Sequence, residues 1–172
     1  MVNFQAVRLR LKAPTKIFEE MATFNYKLTS TLVSQDEIVC NSPVVVARYL
    51  VDHCFYADSM HEEAGYVLFL DKSNHLQGFS RISVGCLDSC CIDARKVAQI
   101  ALLAGAGKIV LAHNHPSGNV APSQADMEQT KKVKDIMTVV GIDLVDHIIM
   151  SADRINFFAF STGQKGQLQK TA

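Results

Sequence analysis

Lys108-Ile109-Val110-Leu111-Ala112-His113-Asn114-His115-Pro116-Ser117-Gly118-Asn119-Val120-Ala121-Pro122-Ser123 decides how this chain is read. Ile109, Val110 and Leu111 make a short apolar run that predicts a buried strand over 108–112. The following loop, 116–122, carries two prolines and a glycine, which turn it sharply and hold its shape. Ser123, with Asp126 three residues on, opens a helix expected to run to about Val140 and to stop at Gly141. A strand, a tight loop and a helix in that order are one unit of an α/β fold. The strand also ends in chemistry. Two histidines at i and i+2 of an extended segment put both imidazoles on one side, where their nitrogens can converge on one ion. Asp126, in the first turn of the helix, supplies a carboxylate, and two imidazoles with a carboxylate are three ligands of a catalytic zinc with a fourth position left for water. An isolated His-x-His is common by chance. The same pair with an aspartate at a helix start, joined by a Pro/Gly/Ser loop, is far more specific. A water at such a site needs a base, and either Glu62 or Glu63, just before an apolar run at 66–70, can face an ion held at the sheet edge.

Outward from that stretch the chain alternates between strand and helix patterns. Ser42-Pro43 starts a helix expected to reach about Ala57 and to bury Val46, Tyr49, Leu50 and Cys54. Residues 66–70 and 77–84, separated by Asp71-Lys72-Ser73-Asn74, read as a hairpin. From Asp93 the period lengthens to that of a helix, with Val97, Ile100, Ala101 and Ala104 on one face and Gly105 and Gly107 at its end. Residues 142–150 and 154–160 are two more strands. Upstream, 4–12 alternates as a strand before Pro14, and 15–40 shows no sustained period. The expected division is therefore an N-terminal strand and connection over 1–42, one domain over 43–161, and a polar tail over 162–172 that frays.

Composition narrows the function. The 172 residues suit one domain, and 17 basic against 17 acidic side chains give a formal charge of zero. That balance argues against a partner held mainly through phosphates, and 8% aromatics without tryptophan leave little material for stacking single strands. The five cysteines, Cys40, Cys54, Cys86, Cys90 and Cys91, are odd in number and lack paired C-x-x-C spacing, so free thiols in a reducing cytoplasm are expected. No basic-then-apolar leader starts the chain, and apolar runs such as 100–106 are too short to span a membrane. A cytoplasmic protein without a membrane partner is the expectation.

The motif residues resemble a known family. His113-x-His115, ten residues, then Asp126, with Ser123 three before the aspartate and a glutamate ahead of an upstream strand, is similar to the JAMM (JAB/MPN) metalloprotease signature. The longer pattern of 113–119, Pro122-Ser123-x-x-Asp126, Thr130-Lys131-Lys132, Gly141-Ile142 and Asp146-His147-Ile148-Ile149 resembles its RadC-like branch from about Glu63 to Phe160. The resemblance implies a cytidine-deaminase-like three-layer α/β sandwich with a central mixed sheet flanked by helices. It implies one catalytic zinc ion on His113, His115 and Asp126, and hydrolysis of a peptide or isopeptide bond in a peptide or protein substrate by zinc-bound water. Of the two glutamates, Glu63 keeps the branch's spacing to the strand and to Asp71 and takes the catalytic base position, while Glu62 is a solvated neighbour. Ser123 would donate to the developing oxyanion as well as cap its helix. Asp146 and His147 alternate in a strand, so at most one of them supports the site. The alternatives are a nucleic-acid-processing protein of repair or anti-restriction and a non-catalytic scaffold. The branch's helix-hairpin-helix module has no counterpart in this sequence, and the zero charge gives the nucleic-acid reading no support. Residues 93–96 read Asp-Ala-Arg-Lys where the branch frequently has His-Pro-Arg-Glu, and Cys86, Cys90 and Cys91 stand where it usually has other small or apolar residues.

Overall fold

Alternation along the strands sorts the side chains into two layers. On β1 (Glu63–Leu70), Ala64, Tyr66, Leu68 and Leu70 join one buried cluster, and Val67 and Phe69 join another. On β3 (Lys108–His115), Val110 and Ala112 go to the first cluster and Ile109 and Leu111 to the second. Successive side chains of a strand point to opposite faces, so both faces of this sheet must be covered. Helices cover both. The computed structural model describes residues 38–55, 60–86 and 92–169.

The first face is covered by α1 (Pro43–Tyr49), whose start is fixed by Ser42 accepting from the Val45 amide and by Pro43 in the first turn. Its buried residues include Val46 and Tyr49, as expected. The α-helix itself ends at Tyr49. It widens into a π turn over Leu50–Cys54, closed by Phe55 N–H donating to the Leu50 carbonyl at 2.7 Å. The wider turn accompanies burial of both Cys54 and Phe55, with the Phe55 ring edge-on to Tyr66 at 4.9 Å between centroids. Burial also raises the thiol of Cys40 to about 11, which suits an inert packed cysteine. Cys54 is likewise buried and free.

The second face carries α2 (Ala94–Leu103), capped by Asp93, and α3 (Gln124–Val139), capped by Ser123. Val97, Ile100 and Ala101 of α2 and Val133 and Met137 of α3 pack against Val67, Phe69, Ile109 and Leu111. Both helices end at glycines in the left-handed region, Gly105 (φ 66°) and Gly141 (φ 74°), where a side chain would be strained.

The expected hairpin forms from β1 and β2 (Leu76–Cys86), and with β4 (Asp143–Ser151), β5 (Asn156–Ala159) and β6 (Gln164–Gln167) the sheet runs in the order β2-β1-β3-β4-β5-β6. Only β3 and β4 (Asp143–Ser151) pair in parallel, with α3 as the crossover between them, so the sheet is mixed. The expected three-layer α/β sandwich is the architecture formed. It places the end of β3, the start of α3 and the start of β1 at one rim.

The expected fraying tail needs correction. Residues 164–167 form β6 (Gln164–Gln167), paired with β5 (Asn156–Ala159), and Leu168 beyond it is buried in the first cluster. Backbone pairing and one anchoring leucine outweigh the polar composition of that segment. Gly166 pairs with Phe157, and an added Cβ would overlap the Cζ end of its ring. Gly166→Ala should therefore destabilise the fold by about 1–3 kcal/mol in urea unfolding, an effect too large for an exposed strand residue without that close approach. The predicted strand at 4–12, the connection over 15–37, and Cys90 and Cys91 lie outside the described residues.

Candidate metal centre

Parity along β3 fixes the site before any contact is considered. His113 and His115 share the face of Ile109 and Leu111 and so point toward α3, while Asn114 points through to the other face. Asp126, in the first turn of α3, meets the two rings. The His113 and His115 Nε2 atoms lie 3.0 Å apart. Asp126 Oδ1 is 3.1 Å from His113 Nε2, and Oδ2 is 3.5 Å from His115 Nε2. Among the described residues these three form the one group of histidine, cysteine and acidic side chains able to hold a metal. A tetrahedral zinc with bonds near 2.0–2.1 Å separates its ligand atoms by roughly 3.3 Å, so the donor set has the right dimensions.

The hydrogen-bond network also assigns the ring protons. The Asn119 carbonyl, 2.6 Å from His115 Nδ1, can only accept, so that nitrogen carries the proton and Nε2 holds a lone pair. Thr130 Oγ1 donates to the Asp126 carbonyl at 2.6 Å, and must therefore accept from His147 Nδ1, also at 2.6 Å. His147 Nε2 is then an acceptor, and at 2.8 Å it takes the proton of His113 Nδ1. The lone pair of His113 is left on Nε2 as well. With both rings neutral, two imidazole lone pairs and a carboxylate thus aim at one point with no donor among them, an arrangement that calls for a cation.

Electrostatics show how strongly the three groups couple. Burial opposes charge on His115, but hydrogen bonds to Asp126 and the Asn119 carbonyl, with the charges of Asp126 and Glu63, hold its ring above the ordinary imidazole range. Burial opposes ionisation of Asp126 too, yet His113 and His115 hold its carboxyl far below the usual carboxylate range. His147, wholly enclosed, is pushed well down by burial and by His113 and stays neutral. The His113 side chain is 1% exposed, while those of His115 and Asp126 are 14% and 13%, so the centre opens to solvent on their side.

The other expected residues are placed as follows. Glu63 begins β1, half-buried, and its charge reaches His115, whereas Glu62 is exposed. Ser123 forms a capping box with Asp126: its hydroxyl donates to Asp126 Oδ2 at 2.7 Å and accepts from the Asp126 amide at 3.2 Å. The hydroxyl proton is thus directed at the carboxylate. Of the pair on β4, His147 supports the centre through His113 and stacks on Phe160 at 4.8 Å. Asp146 instead accepts from the Ser161 amide and hydroxyl, at 2.9 and 2.8 Å. Thr130 carries no site signal in the sequence beyond the Thr130-Lys131-Lys132 run, although its i+4 spacing from Asp126 puts both on one helical face. Replacing Thr130 with valine removes the hydroxyl that fixes the His147 tautomer. We expect metal affinity to fall about tenfold in chelator competition while the fold is kept.

A family model for the RadC-like JAB domain matches residues 40–166. The chain belongs to that family. Three curated relatives of this RadC-like JAB domain carry the name UPF0758 protein. One from Desulfitobacterium hafniense (strain DSM 10664 / DCB-2) is 35% identical over 125 residues, 71% of this chain and 54% of the relative. One from Finegoldia magna is 37% identical over 120 residues, 70% of this chain and 52% of the relative. One from Actinobacillus pleuropneumoniae serotype 5b is 37% identical over 114 residues, 65% and 51% of the two chains. The chain spans about half the length of these relatives. Among its described residues no helix is long and apolar enough to cross a membrane.

Proposed function

We propose that this RadC-like JAB domain is a zinc-dependent metallohydrolase of the JAMM type, a peptidase or isopeptidase acting on a peptide or protein in the cytoplasm. The observation that carries the reading is the convergence of two imidazole nitrogens and one carboxylate at a solvent-facing rim. His113, His115 and Asp126 would hold the ion, and two nitrogens with one oxygen suit zinc. When bound, zinc supplies Lewis acidity, which polarises a carbonyl and makes water acidic enough to attack near neutral pH. Glu63 takes the proton of the attacking water and returns it to the leaving amine, a role suited to a half-buried carboxylate beside a cationic centre. Ser123 stands at the same rim, and turning its hydroxyl from Asp126 Oδ2 toward the substrate carbonyl oxygen gives it the oxyanion role. The neutral net charge favours a protein substrate over a nucleic acid. The test is a screen of peptide, isopeptide and nucleic-acid pools with the zinc-loaded protein, using Glu63→Gln as control. Cleavage of nucleic acid alone, or of nothing, overturns the reading.

A further inference from the structure

Asn114 stands between the two histidines but points away from them, and its side chain is fully enclosed. The ladder between β1 and β3 ends at Gly65 opposite His113, so the peptide groups around Glu63 have no backbone partner on β3. Asn114 supplies one. Its Oδ1 accepts from the Ala64 amide at 2.8 Å, and its Nδ2 donates to the Glu62 carbonyl at 2.9 Å. The first bond fixes the peptide plane after Glu63 and the second fixes the plane before it. The carboxamide therefore acts as an extra rung of the ladder and sets the backbone of the one residue between those planes.

Resting on the metallohydrolase reading above, we infer that Asn114 is a positioning residue that sets Glu63 at the rim of the centre and so couples the base to the strand carrying both histidines. A carboxamide serves both bonds at any pH near neutral, with its oxygen as acceptor and its nitrogen as donor. An ionised aspartate keeps the Ala64 bond but turns an oxygen against the Glu62 carbonyl, and alanine keeps neither.

The test compares zinc-loaded wild type, Asn114→Ala, Asn114→Asp, Glu63→Gln and the Glu63→Gln/Asn114→Ala double variant. It reads zinc content, hydrogen exchange at the Ala64 amide, and turnover of the peptide or isopeptide probe cleaved by wild type. In Asn114→Ala, Ala64 should exchange at least about tenfold faster while amides of 109–112 stay protected and zinc remains near one per chain. Its kcat should fall about 10- to 100-fold with KM little changed, and the double variant should be no slower than Glu63→Gln alone, because both act through one group. Asn114→Asp, the milder change should alanine not fold, should also lose turnover at about pH 8 with zinc retained. Unchanged Ala64 exchange in the alanine variant, full turnover in the aspartate variant, loss of zinc, or additive losses in the double variant would each overturn the role. If wild type cleaves no probe, the hydrolase reading falls, and exchange at Ala64 in the alanine variant still decides the clamp.

Discussion

Purified wild-type protein should carry about one zinc ion per chain, and His115→Ala less than about a tenth of that after the same dialysis against a mild chelator. The size of the loss follows from the ligand count. With three protein ligands, removing one leaves two, and the vacated space opens on the solvent side, where His115 is already partly exposed. Proton competition gives the prediction a sign in pH. His115 in the metal-free protein titrates above the ordinary imidazole range, and zinc needs its neutral form. Below that pKa each zinc bound must displace a proton, so affinity should fall about tenfold per pH unit as pH drops, and level off above it. Thermal shifts on zinc addition should accordingly be larger at about pH 8 than at about pH 6. Wild type free of zinc above background, or a His115→Ala protein that keeps it, would sink the metal centre.

Glu63→Gln should retain zinc at the wild-type level and lose turnover by about 10²- to 10⁴-fold. Glutamine keeps the shape and hydrogen-bonding reach of the side chain but cannot accept a proton at neutral pH, so the loss isolates the acid–base step. Glu62→Gln is the internal control. Glu62 carries the same group one residue earlier but is exposed, and what anchors it to the site is its backbone carbonyl, held by Asn114. Turnover of the Glu62 variant should stay within about twofold of wild type. Activity surviving in Glu63→Gln, with zinc bound, removes the base assignment while leaving the metal centre intact.

Much of this fold is legible in the sequence. The hairpin at β1 and β2, the helix after Asp93, the β3–α3 unit and both glycine stops follow from local alternation, capping and turn chemistry, and they form close to where those signals put them. The grouping of His113, His115 and Asp126 was legible for the same reason: they are close in sequence on one strand, one loop and one helix start. Two expectations failed where a distant contact overrode a local signal. The helix from Pro43 widens at Leu50 as Cys54 and Phe55 both turn into the core, and the polar segment after 163 becomes β6 because β5 offers it a paired edge and the core takes Leu168.

What the sequence determined by itself is the pattern that puts two imidazoles on one face of a strand and a carboxylate at the start of the next helix. Those relations depend on strand and helix periods, which are local. What only the tertiary structure decided is the state and support of those groups. Thr130, 17 residues from His147 in the chain, and His147, 34 residues from His113, join across α3, β4 and β3 to assign the His113 proton. Asn114 reaches 50 residues back to Ala64 to hold the segment of Glu63. A hydrogen bond between remote elements leaves no period in the sequence, because it depends on which strands lie side by side.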